Sequence, residues 1–312
     1  MGVRGWLTRR QMGFVLPHEH VMVDFVGADQ IGPGRYHAEE VFQLALPKLL
    51  AIKQKGGNTF IDCTPNYIGR DVALLQRLAQ ATGLNIITNT GYYGAAGQKF
   101  LPPQVFTETA EQLAARWVRE WEEGIDGTGI RPGFMKIGAD DGPLTEAQQK
   151  TVRAAALAHR QTGLTIGMHC GKGVAQEALQ IIQGLGVAPS AYIWIHAQNE
   201  PRRELHLAAA RSGAWVEFDG MHPAYQAIDA QEQHLNFLLD MKREKLLHRA
   251  LISQDSGWYN VGEAQGGKFA GYTDLFDHFL PLLRQNGFSQ KELDRLFIQQ
   301  PFQAFAVRKR LS

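Results

Sequence analysis

Six side chains able to hold a metal cation, His18, His20, Lys136, His169, His196 and Asp255, each stand near the C-terminal end of a short apolar run. His18 and His20 lie in residues 14–23 (FVLPHEHVMV), where strand alternation sends both imidazoles to one face and Glu19 to the other. One strand thereby offers two nitrogen donors to one cation. Ordinary polar strand-end histidines give the same short pattern, but later runs repeat the theme: His169 closes LTIGMH, His196 closes YIWIH and Asp255 closes ALISQD. Imidazole and carboxylate donors gathered from several strand ends are the ingredients of a hydrolytic metal site.

Bringing those ends together requires a repeating architecture, and the chain has one. Strand-like runs occur at 14–23, 58–65, 85–91, 134–139, 164–170, 192–197, 215–220 and 250–255. Helical periodicity fills the spaces between, over 38–55, 105–123, 146–162, 174–183 and 202–212. Thr145 with Gln148, and Ser289 with Glu292, have the spacing of capping boxes that begin helices. Eight alternating units predict an α/β fold, a (β/α)8 TIM barrel spanning residues 1–312 as a single domain, with its chemistry at the C-terminal ends of the strands. A doubly wound sheet would not converge eight strand ends on one centre.

Longer segments extend the pattern: GFVLPHEH at 13–20, Asp62 to Pro65 followed by Gly69, Arg70 and Asp71, TGYY at 90–93, MKIG at 135–138, GMH at 167–169, Ile195-His196 and Gln254-Asp255. On these segments, over essentially its whole length, the sequence resembles the phosphotriesterase-like family of the amidohydrolase superfamily. The resemblance implies two divalent metal ions bridged by a carbamate on Lys136. His18, His20 and Asp255 would hold the more buried ion, and His169 and His196 the more exposed one. A lysine ammonium cannot ligate a cation, whereas its carbamate is an anionic oxygen donor; without the other five residues, Lys136 would read as a lysine snorkelling from a strand end. The nitrogen and oxygen donors suit Zn²⁺, with Mn²⁺, Co²⁺ or Ni²⁺ also compatible. Such a pair would acidify a bridging water for hydrolysis, and Asp255 is the expected catalytic proton acceptor.

Departures from that family narrow the chemistry. Its organophosphate-hydrolysing branch relays protons from the ligating aspartate through a histidine after strand seven and a carboxylate after the strand-six histidine; here the matching positions are Gly220 and Asn199. His222 stands near enough in sequence to substitute. Substrate contacts are expected from loops at the barrel mouth: Tyr92, Tyr93, His222 and Trp258 foremost, then Lys172, Met221, Tyr225 and Tyr259. This aromatic, lightly charged set suits an uncharged ester or lactone. Phosphorylated sugar lactones would call for several basic residues, and only Lys172 and Lys268 are on offer. Phosphotriester or amide hydrolysis, or a metal-retaining binding protein with little turnover, are the alternatives.

The remaining features are those of an ordinary small-molecule enzyme. With 32 basic and 31 acidic residues among 312, the net charge of +1 gives no footprint for nucleic acid. The N-terminal segment lacks the apolar stretch of a signal peptide and no run is long enough for a membrane span, so a cytoplasmic location is expected. The family resemblance suggests a homodimer. Cys63 and Cys170 read as buried thiols, Cys170 facing away from His169. Asp140 and Asp141 read as turn residues, and Arg70 and Asp71 as braces of the barrel mouth. His37, His159, His206, His234, His248 and His278 have no expected role.

Overall fold

Apolar residues occupy consecutive positions in strands such as YIWI and ALI, so a strand can bury one face inside a closed barrel and the other beneath a shell of helices. The computed structural model, which describes residues 1–221 and 230–312, has that architecture. The strands are Val15–Val23, Thr59–Asp62, Asn85–Ile87 continued by Asn89–Thr90, Phe134–Ala139, Thr165–Cys170, Tyr192–Ile195, Trp215–Phe218, and Ala250–Ile252 continued by Gly257–Asn260. All neighbours pair in parallel.

Two of the eight strands turn corners. The third pairs with the second through Asn85–Ile87 and with the fourth through Asn89–Thr90. The eighth pairs with the seventh through Ala250–Ile252 and with the first through Gly257–Asn260. Between these last two pieces the Asp255 amide donates to the His18 carbonyl at 3.1 Å, which closes the barrel. Gly257 permits the closure: at φ +102° a Cβ there would fall 1.9 Å from the His20 carbonyl oxygen. The expected eighth strand, 250–255, is therefore shorter at its first piece and resumes after a turn that the sequence did not announce.

Alternation assigns the two faces. Phe134, Ile193, Ile195, Trp215 and Leu251 pack with Val15, Ile61 and Ile87 in the barrel interior, with Met12 and Phe305 joining them. Met135, Ile137, Ile166, Met168, Cys170, Trp194, Val216 and Phe218 pack outward, as expected for Cys170. In the first strand the pairing register shifts between Leu16 and Glu19. Such an irregularity changes parity, so that Val15 faces inward below it and His18 and His20 face inward above it.

The helices follow their predicted bounds closely, with one break. The run 105–123 is split into Gln104–Thr107 and Ala110–Glu123, because Thr109 and Gln112 form a capping box that starts the second helix afresh. Capping boxes at Thr145 and Ser289 begin Glu146–Thr162 and Gln290–Asp294. The Arg70 side chain is buried and reaches both Glu120 carboxylate oxygens at 2.9 Å, while Asp71 caps Val72–Thr82 and accepts from Tyr36. Among the described residues no helix is long and apolar enough to cross a membrane.

Candidate metal centre

The six expected side chains arrive at one place from five strands of the barrel. His18 and His20 sit in the first strand, Lys136 in the fourth and His169 in the fifth. His196 and Asp255 follow the sixth strand and the first piece of the eighth, each in the left-handed region at φ +60° and +51°. Non-glycine residues held there concentrate at functional sites. The His18 and His196 ring centroids lie 5.0 Å apart, those of His169 and His196 4.4 Å, and those of His18 and His20 5.3 Å. Asp255 Oδ1 stands 3.2 Å from His20 Nε2 and 3.5 Å from His18 Nε2, and Lys136 Nζ lies 3.2 Å from His18 Nε2. His18, His196 and Asp255 present donor atoms within 4.8 Å of one another.

Each imidazole is oriented from behind. Nδ1 of His18 meets Glu217 Oε1 at 2.8 Å, Nδ1 of His20 meets Thr64 Oγ1 at 2.8 Å, and Nδ1 of His169 meets the Tyr93 hydroxyl at 3.1 Å. His196 Nδ1 is hydrogen-bonded to Asp219 Oδ1. With Nδ1 engaged in all four rings, Nε2 is left as the nitrogen available to a cation. Burial, reinforced by Lys136, pushes His18 down to about 3, and burial with the neighbouring His196 holds His169 well below its ordinary value. Both rings are thus neutral donors near pH 7. For Asp255, burial alone would raise the carboxyl, but His18, His20 and His196 outweigh it and hold the group well below the usual carboxylate range. Its Oδ1 is buried without a hydrogen-bond partner. Four imidazoles anchored at Nδ1 and an ionised carboxylate with an orphaned oxygen fit the donor set of one or two divalent cations.

Above this cluster opens a cavity of about 340 Å³. Its floor is the six side chains, and its walls are largely apolar: Val23, Phe25, Ile68, Phe100 and Trp258, with Tyr93 and Lys99. Tyr93 and Trp258 therefore stand where the sequence suggested. The Tyr93 ring rests over Gly138, where a Cβ would come within 2.9 Å of it. Burial pushes the Tyr93 hydroxyl far up, so it stays protonated. Trp258 lies against His20 with centroids 5.0 Å apart, and its indole N–H donates to the Asp255 carbonyl at 3.0 Å.

Other expectations need correction. Tyr92 does not line the cavity: alternation turns it outward, where its ring packs edge-on to Trp117 and Tyr67. Tyr259 likewise faces away, toward Glu40 and Phe269. Lys172 is exposed and absent from the cavity wall, its amide donating to Asp141. His222 and Tyr225 lie outside the described residues. The sequence reading missed Phe25, Lys99 and Phe100, which come from irregular loops, and the buried carboxylates Glu217 and Asp219. Strand alternation could have found the latter two, since acidic residues at 217 and 219 share the inward face with Trp215.

The barrel, with this cluster at the C-terminal ends of its strands, defines a metal-dependent hydrolase acting on small organic substrates. The chain belongs to the Phosphotriesterase family, whose model matches residues 1–305. It is 32% identical to the phosphotriesterase homology protein of Escherichia coli (strain K12), over 94% of this chain and 98% of that one. The crystal structure of that Escherichia coli protein, complexed with phosphate in its active site, superimposes with a TM-score of 0.81 at 30% identity, covering 95% of this chain and 99% of the other. An aryldialkylphosphatase of Saccharolobus solfataricus is 26% identical over 96% of this chain and 97% of its own length. An N-acetyltaurine hydrolase of Xenopus tropicalis is 27% identical over 82% of this chain and 75% of its own.

Proposed function

We propose that this protein hydrolyses small uncharged carboxylic esters or lactones at a centre of two divalent cations, with Zn²⁺ the best match to the donors. The observation that carries the reading is the convergence of four Nδ1-anchored imidazoles, Lys136 and Asp255 at the floor of an apolar cavity. His18, His20 and Asp255 would hold one cation and His169 and His196 the other. Lys136, as its carbamate, would be shared between them. The cations, when bound, supply Lewis acidity that lowers the pKa of water and polarises the scissile oxygen.

The side chains divide the remaining work. Asp255, through Oδ2, takes the proton of the attacking water and returns it to the departing oxygen, while Oδ1, beside the Nε2 atoms of His18 and His20, would meet the cation. The His169 Nδ1–H donates to the Tyr93 oxygen, which leaves the Tyr93 O–H free to donate to the substrate oxygen as charge develops there. Val23, Phe25, Ile68, Phe100 and Trp258 exclude water and hold the acyl or alkyl body of the substrate. Ring opening of a lactone keeps leaving group and acid in one molecule, so Asp255 can complete the proton transfer without a relay. This suits Gly220, which has no side chain, and Asn199, which carries no charge.

A second reading is favoured by the named activities of the relatives: a phosphotriester or an N-acyl amine in place of the carboxylic ester. Both need the same floor and differ in the shape and charge of the leaving group. The test is kcat/KM on one metal-loaded preparation for matched lactone, aryl ester, phosphotriester and N-acyl amine substrates. The proposal expects the carbonyl esters to lead, and clear preference for the phosphotriester or the N-acyl amine overturns it.

A further inference from the structure

The four imidazoles at the cavity floor are not held alike. His20 and His169 lean on neutral hydroxyls, Thr64 and Tyr93, while His18 and His196 lean on carboxylates, Glu217 and Asp219. If His18 pairs with His20 at one cation and His169 with His196 at the other, each cation receives one carboxylate-backed ring and one hydroxyl-backed ring.

Glu217 is the less expected of the two carboxylates. It is fully buried in the middle of the apolar run Trp215–Phe218, on the inward face. Among the described residues no lysine or arginine lies within ion-pair range of it. Its near neighbours are the His18 ring and a second carboxylate: Asp219 Oδ2 is 3.3 Å from the same His18 Nδ1, and Glu217 Oε2 has no hydrogen-bond partner. Burying a carboxylate beside another is costly in a fold that has no use for the charge, and Lys136, beyond ion-pair range, opposes that cost only in part. A cation on the far side of the ring supplies the missing compensation: the carboxylate holds the Nδ1 proton, makes Nε2 more basic, and balances part of the cation's charge.

We propose that Glu217 is a positioning residue, fixing the His18 ring and setting how tightly the cation on His18 is held. This rests on the reading of His18 as a ligand, and the experiment separates the two. Metal-free wild type, Glu217→Gln, Glu217→Ala and His18→Ala are titrated with zinc against a chromophoric chelator, with circular dichroism confirming the fold of each. Glutamine keeps the shape and an acceptor oxygen but not the charge, so one zinc step should weaken by about 10–100-fold while the other stays, with alanine weaker still. His18→Ala should abolish that same step. If Glu217→Gln binds both zinc ions as wild type does while His18→Ala loses one, the positioning role is overturned and the ligand reading stands. If His18→Ala binds like wild type, both fall. Should the Glu217 variants fail to fold, the zinc-loaded wild type decides by histidine nitrogen NMR. The His18 Nδ1 proton, shared with a carboxylate, should resonate well downfield of the His20 Nδ1 proton, shared with a hydroxyl, and equal shifts would overturn the proposal.

Discussion

Replacing Asp255 by asparagine removes a single negative charge and leaves the side chain's shape intact. Oδ1 stands 3.2 Å from His20 Nε2 and 3.5 Å from His18 Nε2, where it would meet a cation held by those rings, which leaves Oδ2 as the oxygen to take a proton from water. Its anionic state is secured against burial by the three surrounding imidazoles. An asparagine oxygen in that place can still meet a cation, and the histidines remain. It cannot accept a proton near neutral pH. General base catalysis by a positioned side chain is worth about 10²–10⁴-fold, so kcat should fall by that factor, or about 3–5 kcal/mol in the barrier. Metal content should fall much less. The assay is kcat for the best carbonyl substrate, measured at matched metal occupancy confirmed by elemental analysis. Equal kcat for wild type and variant at full occupancy would refute the proton-transfer role. A loss of kcat that tracks metal content would reduce Asp255 to a ligand.

Tyr93→Phe removes both the acceptor of the His169 Nδ1–H and the proposed donor to the substrate oxygen; kcat/KM for esters should drop by about 10–100-fold, and an unchanged value would dismiss the hydroxyl from the mechanism. Phe100→Ala opens the cavity wall beside Phe25 and Tyr93, so KM for substrates with long apolar groups should rise about tenfold while kcat changes little. The same KM shift for the smallest substrates would contradict that assignment. Arg70→Ala leaves Glu120 without its bidentate partner far from the chemistry, and chemical denaturation should show a loss of about 3 kcal/mol with the metal content of the folded protein unaffected.

Much of this arrangement could be read from residue spacing because a barrel converts sequence rhythm into position. Once His169 ends an inward face and Cys170 an outward one, the strand's parity decides which side chain meets the others. The same rule separates Tyr93, which lines the cavity, from Tyr92, which packs outward on Trp117. The third strand breaks between Ile87 and Asn89 but keeps its parity, so that counting by twos from the inward Ile87 reaches Tyr93. Glu217 and Asp219 follow the alternation openly, on the inward parity of Trp215. Phe25, Lys99 and Phe100 reach the cavity from loops whose course depends on packing across the mouth, for which no sequence periodicity exists. The turn from Asp255 to Trp258, with both residues at positive φ, is likewise set by closure of the eighth strand on the first.

The central claim is that these side chains assemble a two-cation centre joined through Lys136. Elemental analysis of protein purified from zinc-supplemented cells, paired with ¹³C NMR after exchange with labelled carbon dioxide, tests it directly. Two divalent metals per chain are expected, with a carbamate signal that disappears in Lys136→Ala. At most one tightly bound metal, together with an unmodified lysine at position 136, would contradict it.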